Sequence, residues 1–175
     1  MNRTKKLIYG LVSLLAIALL AGFDQYTKFL AVRQLPGSPF VLIDGVFELR
    51  YLENRGSAFG MLQNQRAFLL IISILVLLLA IVYFFKLPWT RKMNVLRVLM
   101  VFIAAGGIGN MIDRMRLGYV VDFFYFKLIN FPIFNVADIY VTVSIFVLFV
   151  MVLFFFKEEE MEAFSLFSKK KENHE

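Results

Sequence analysis

Four long uncharged apolar runs divide this chain, at residues 7–23, 67–85, 98–112 and 139–156. Their lengths are 17, 19, 15 and 18 residues, against the roughly 20 needed to cross a hydrocarbon core. The three shorter runs reach that length when charged residues at one end join the helix. The pattern predicts four transmembrane helices. Between the first two runs the period changes from helical to alternating. Phe47, Leu49 and Tyr51 interleave with Glu48 and Arg50, and Asp44-Gly45 marks a two-residue hairpin turn after Val41-Leu42-Ile43. Residues 38–60 therefore read as a small sheet, too short to stand alone and best placed on the membrane surface over the helices.

Residues 115–134 are dense in rings: Tyr119, Phe123, Phe124, Tyr125, Phe126, Phe131 and Phe134. Such rings favour the membrane interface. The segment reads either as a short half-buried helix covering a site or as a plain interfacial loop. The expected fold is thus membrane all-α: four transmembrane helices, a small extracytoplasmic β-sheet, and an interfacial segment between helices three and four. It forms one domain over residues 1–156, followed by a charged tail at 157–175.

Composition narrows the chemistry. The 175 residues are 60% hydrophobic with a mean hydropathy of +0.73, values of an integral membrane protein. No cysteine is present, which removes disulfides, thiolate nucleophiles and cysteine metal sites. The single histidine, His174, lies in the tail, so neither Ser-His catalysis nor His-ligated zinc is expected. No metal and no cofactor are expected. The net charge of +6 points to no nucleic-acid partner, because the basic residues flank apolar runs as membrane topology requires.

Lys86, Arg91, Lys92 and Arg97 crowd the short connection between the second and third runs without one acid. Arg3, Lys5 and Lys6 precede the first run, and Lys169, Lys170 and Lys171 lie near the end. The positive-inside rule then puts both termini in the cytoplasm. Arg50, Arg55 and Arg66 on the other side run against the rule, and the clean basic connection decides it. A cleaved signal peptide is the alternative for the first run. Against it, Asp24-Gln25-Tyr26-Thr27-Lys28 continues the helix with an i,i+4 acid–base pair, and three further spans need a partner.

With that topology the polar residues gather on one side. Asp24 and Lys28 end helix one, Asn110, Asp113 and Arg114 end helix three, and Asp138 opens helix four. Asp122 sits in the loop before it. At about 1.5 Å per residue, Asn110 lies ~20 Å from Arg97 across a core ~30 Å thick, which puts the site in the outer leaflet. Carboxylates beside lipid are expensive to keep. Two that share one proton supply an acid and a base at neutral pH, the working state of an aspartic peptidase. A helix N-terminus favours ionised Asp138, which leaves Asp122 the easier to protonate in a pair that titrates together.

Smaller motifs surround the pair. Asn54-Arg55-Gly56-Ser57-Ala58-Phe59-Gly60 allows either a tight turn or close approach of a ligand. Gly106-Gly107-Ile108-Gly109-Asn110 lets another helix backbone come near, and Asn110 is read as a substrate contact. Asp113 and Arg114 fit an ion pair tying the helix end to the sheet. Asn135 and Asp138, i and i+3, share a face.

Four ordered blocks resemble bacterial lipoprotein signal peptidase (signal peptidase II): Asp24-Gln25-Tyr26-Thr27-Lys28, the asparagine–glycine segment from Asn54, the run from Gly107 to Arg114, and Val121-Asp122-Phe123 with Phe134-Asn135-Val136-Ala137-Asp138. The resemblance covers about residues 5–156. It implies an aspartic endopeptidase of the bacterial cytoplasmic membrane, multi-pass, with its active site toward the outer leaflet. It makes Asp122 and Asp138 the catalytic dyad, and Asn54, Gly56, Asn110, Arg114 and Asn135 substrate-binding or site-shaping residues. Asp24, Lys28, Asp113 and Ala137 become supporting residues. The implied partners are diacylglyceryl-modified prolipoproteins, cut just before the lipidated cysteine, and membrane lipid, with the enzyme a monomer. Ile139 departs from the pattern, since many relatives carry serine after the second aspartate. The rival class is a small membrane transporter, which predicts carboxylates spread through membrane depth and repeated helix pairs.

Overall fold

In the computed structural model, which describes residues 2–56 and 61–156, four helices are long and apolar enough to cross a membrane. They are α1 (Arg3–Gln34), α2 (Arg66–Lys86), α3 (Arg91–Arg116) and α4 (Val136–Phe154). All four apolar runs fall inside these helices but for the last two residues of the fourth, and α1, α3 and α4 each recruit polar residues beyond the run. Three starts are capped from their own sequence. Asn2 Oδ1 accepts from Lys5 N at 2.9 Å, Thr90 Oγ1 from Met93 N at 3.3 Å, and Asn135 forms a reciprocal capping box with Asp138. Each side-chain oxygen satisfies an otherwise orphaned first-turn N–H.

Helix α3 is central and packs against α1, α2 and α4. Its small residues allow the approach that the glycine run predicts. A Cβ on Gly106 would lie 2.5 Å from the Ala137 carbonyl oxygen, and one on Gly109 would lie 2.5 Å from Asp24 Oδ2. Only glycine lets α1 and α4 come this near. The buried residues of α1 are Ala21, Asp24, Lys28 and Ala31, one narrow stripe facing the bundle. Most other α1 side chains, such as Leu7, Leu11, Leu14 and Leu15, point outward, as lipid-facing positions should.

The sheet is antiparallel with order β1-β2-β3, where β1 is Phe40–Ile43, β2 is Phe47–Asn54 and β3 is Val120–Phe126. Two expectations change here. Ile43 pairs with Phe47, so the turn holds three residues, Asp44, Gly45 and Val46, with Gly45 at φ +68°. A left-handed glycine absorbs the extra residue. The aromatic segment between α3 and α4 is neither a helical lid nor a loop. Its middle, residues 120–126, is β3, and residues 127–129 form a 3-10 turn. Its backbone N–H and C=O groups are satisfied by β2, which a membrane-surface segment without a helical pattern otherwise lacks. The sheet is therefore not confined to residues 38–60 but draws its third strand from beyond α3.

Under the sheet, Ala31 of α1, Leu35 just past its end, Val121 and Phe123 of β3 and Val136 of α4 form a buried apolar cluster, with Leu49, Tyr51 and Tyr140 against it. This cluster fixes β3 on the helix ends, as a platform requires. At the opposite end Leu87, Met93, Leu96 and Leu99 form a second cluster. The charged tail at 157–175 lies outside the described residues.

Candidate active site

Three charged residues from two helices make the foundation. Lys28 Nζ lies 2.9 Å from Asp24 Oδ2, one turn away on α1, and 2.9 Å from Asp113 Oδ2 on α3. All three are buried. A buried cation flanked by two carboxylates avoids the desolvation penalty that an unpaired charge would carry. Each carboxylate then reaches outward to a different element. Asp24 Oδ1 accepts from Ala137 N at 2.9 Å and fixes the first turn of α4. Asp113 Oδ2 accepts from Val121 N at 3.1 Å and fixes β3 next to Asp122. Asp113 thus ties its helix end to the sheet, with Lys28 and not Arg114 as its ionic partner. Gln25, which sequence reading left without a role, donates to Asp113 Oδ1 at 2.9 Å and to the Gly109 carbonyl at 3.1 Å. Its place between Asp24 and Lys28 was the one available signal.

Three asparagines carry this foundation to the dyad. Asn110 Oδ1 accepts from Lys28 Nζ at 2.8 Å, so its amide NH2 must face the other way, where Nδ2 donates to Asp138 Oδ1 at 2.8 Å. The cation sets the orientation of the amide. Asn135 joins both carboxylates: its Nδ2 donates to Asp122 Oδ1 at 2.6 Å, and its backbone N–H donates to Asp138 Oδ2 at 3.1 Å. Asn54 Nδ2 donates to Asp122 Oδ2 at 2.8 Å. Both aspartates line one cavity of about 780 Å³, whose walls include Asn54, Asn110 and Arg114.

The arrangement distinguishes residues that sequence reading grouped together. Asn135 is fully buried and stands behind the carboxylates, with its amide spent on Asp122 and Asn110. That leaves it no surface for a substrate contact. Arg114 faces the cavity and donates to the Gly56 carbonyl at 3.0 Å, while Gly56 N donates to Asn54 Oδ1 at 2.9 Å. A Cβ on Gly56 would collide with the Met61 carbonyl oxygen, so the close backbone approach at this bend requires glycine. Residues 57–60 of that motif lie outside the described residues. Ala137 is fully buried with its N–H on Asp24. Ile139 lines the cavity wall.

Burial, with the charge of Asp138 second, raises the Asp122 carboxyl from 3.8 to about 7; the amides of Asn54 and Asn135 pull the other way and do not cancel it. Asp122 therefore carries a proton near neutrality. Asp138, half-buried at the start of α4, accepts N–H bonds from Asn110 and from the Asn135 backbone.

Paired carboxylates in one cavity, held by amides beneath a small sheet on four membrane-length helices, define an aspartic enzyme of the membrane-embedded class. A family model described as signal peptidase (SPase) II matches residues 16–154. This chain belongs to the signal peptidase II family. It is 44% identical over 145 residues to a lipoprotein signal peptidase of Streptococcus thermophilus (strain CNRZ 1066), covering 82% of this chain and 92% of that protein. It is 41% identical over 144 residues to a lipoprotein signal peptidase of Clostridioides difficile (strain 630), covering 81% and 95%. A solved structure described as a bacterial membrane enzyme superposes with a TM-score of 0.71 at 30% identity, over 91% of this chain and 94% of its own. The transporter alternative finds no support. Asp24, Asp113, Asp122 and Asp138 meet at one end of the helices instead of spreading along them.

Proposed function

We propose that this protein is an aspartic endopeptidase that removes signal peptides from prolipoproteins, with Asp122 and Asp138 as its catalytic dyad. The observation that carries the assignment is the double grip of Asn135 on both carboxylates inside one cavity.

The reaction follows from the asymmetry of the pair. Asp138, ionised, takes a proton from a water attacking the scissile carbonyl. Asp122, protonated, gives its proton to the carbonyl oxygen, and a gem-diol forms. Asp138 then passes its proton to the amide nitrogen while Asp122 recovers one from a gem-diol hydroxyl. The C–N bond breaks, leaving a carboxyl end and a free amine, and the dyad again holds one proton. Asn110, Asn135 and Asn54 position the two carboxyl groups. Arg114 and Gly56 shape the cavity beside them and contact the substrate backbone.

The substrate in this reading is a prolipoprotein whose cysteine already bears diacylglycerol, cut just before that residue. The apolar cavity wall of Ile72, Val76, Leu77 and Ile103 suits a signal peptide that remains in the bilayer. The chain works in the bacterial cytoplasmic membrane with both termini in the cytoplasm and the sheet outside, as the basic connection between α2 and α3 requires. The dyad then lies in the outer leaflet, within reach of a lipid-anchored substrate. One chain supplies every residue named here, so a monomer suffices.

The test is a gel-shift assay with purified protein and a prolipoprotein, with and without prior lipidation. Loss of the signal peptide is expected only from the lipidated form, and from neither form with D122N or D138N. Normal cleavage by either variant overturns the dyad.

A further inference from the structure

A second, shallower cavity of about 360 Å³ opens on the sheet, lined by Arg50, Tyr51, Tyr125 and Asn130 together with Leu52, Phe131, Pro132 and Ile133. Those last four also line the catalytic cavity. The two spaces meet over one ridge. A bulge produces the opening: Leu49 pairs with Phe124 and Leu52 with Asp122, so Arg50 and Tyr51 on β2 face the single residue Phe123 on β3. Such bulges re-aim side chains, and this one falls directly beside the dyad strand.

The charge there is not spent. On β2, Glu48 pairs with Lys127 at 3.4 Å and Glu53 with Arg55 at 3.0 Å. Arg50 has no carboxylate partner among the described residues; its guanidinium lies 5.9 Å from the centre of the Tyr125 ring. Tyr125 in turn donates to Asn130 Oδ1 at 2.7 Å, and Asn130 adopts a left-handed φ of +46°. The aromatic, the amide and the cation make a polar wall on the side of the ridge away from the apolar helix cavity.

We infer that this second cavity is the subsite for the polypeptide downstream of the scissile bond, and that Arg50 selects acidic side chains there. The inference rests on the peptidase reading above. Of the two sides of a cut chain, the signal peptide occupies the apolar cavity among the helices, and the other must leave toward water across the sheet. Arg50 lies two residues along β2 from Leu52, the partner of Asp122, or about 7 Å. An extended peptide with its scissile bond at the dyad brings its second or third residue past the lipidated cysteine to that distance.

The experiment uses two lipidated substrates identical except for the second and third residues after the cysteine, acidic in one and lysine in the other. The readout is the ratio of their kcat/KM values on one preparation, which does not depend on the folded fraction. Wild-type protein should cleave the acidic substrate about threefold faster, the size of one exposed ion pair. R50E should invert the ratio and R50Q should bring it to about one. Equal rates with wild-type protein, or an unchanged ratio in R50E, overturns the subsite while leaving the peptidase standing. Cleavage of neither substrate overturns the peptidase reading and the subsite with it.

Discussion

Among the described residues each end of the helical bundle buries one basic side chain, and the two are neutralised differently. Lys28, 3% exposed, sits between the carboxylates of Asp24 and Asp113 and orients Asn110 toward the dyad. Arg97, 4% exposed, has no acid beside it among the described residues. Its guanidinium closes the end of α2, donating to the carbonyls of Phe84 at 2.9 Å, Pro88 at 3.2 Å and Leu87, and to Asn94 Oδ1 at 3.0 Å. The Trp89 ring stacks on it at 3.7 Å. Helix-end carbonyls carry partial negative charge, so a fixed fork of donors there is a structural solution complete in itself. An ion triad whose carboxylates also hold β3 and α4 transmits position to other groups. One buried cation closes a helix; the other builds a site.

The comparison breaks first at the carboxylates. Replacing Asp122 or Asp138 by asparagine should reduce turnover about 10³-fold or more, the range of a lost general acid or base, with an unchanged helical circular dichroism spectrum. K28M should lower stability by about 3–5 kcal/mol, because two buried carboxylates lose their cation. The molecules that still fold should turn over more slowly, since Asn110 is no longer held. R97M should lower stability by about 2 kcal/mol through orphaned carbonyls, with turnover per folded molecule unchanged. Thermal unfolding in detergent alongside kcat separates the two; equal effects on turnover would erase the distinction between the ends.

The proton on Asp122 gives a smaller and sharper test. A carboxyl raised from 3.8 to about 7 by burial keeps its proton up to that pH and loses it above. Turnover should therefore fall about tenfold between pH 6 and pH 8 as the acid is titrated away. The folded state holds this proton in the window between 3.8 and about 7, where the unfolded chain has released it. Stability accordingly falls as pH rises through that window, and D122N should remove the dependence. Smallest of all, G45A in the sheet turn, where φ is +68°, should lower stability by about 1 kcal/mol without altering the pH profile.

Much of this was legible in the chain. Spans 7–23, 67–85, 98–112 and 139–156 announced the helices, because in lipid a backbone has no other way to satisfy its polar groups. The gathering of Asp24, Asn110, Asp113 and Asp138 on one side followed from topology alone. Less legible was Asp122. Its position on a strand depends on pairing with β2, some 70 residues earlier in the chain, and a run of aromatic residues carries no sign of which partner it will find. The same limit hid the division of labour among the asparagines. Asn54 and Asn110 line the cavity while Asn135 stands behind it, and nothing in an Asn-Val-Ala-Asp spacing tells an amide on a cavity wall from one buried behind the carboxylates.

The sequence by itself determined four membrane helices, the side on which their polar residues collect, and the pair of aspartates worth suspecting, because apolar length and charge are local properties. Only the tertiary structure decided that Lys28 orients Asn110, that Asn135 grips both carboxylates, and that β3 brings Asp122 into the same cavity as Asp138. Those facts rest on hydrogen-bond directions between residues as much as 82 positions apart, which no local pattern encodes.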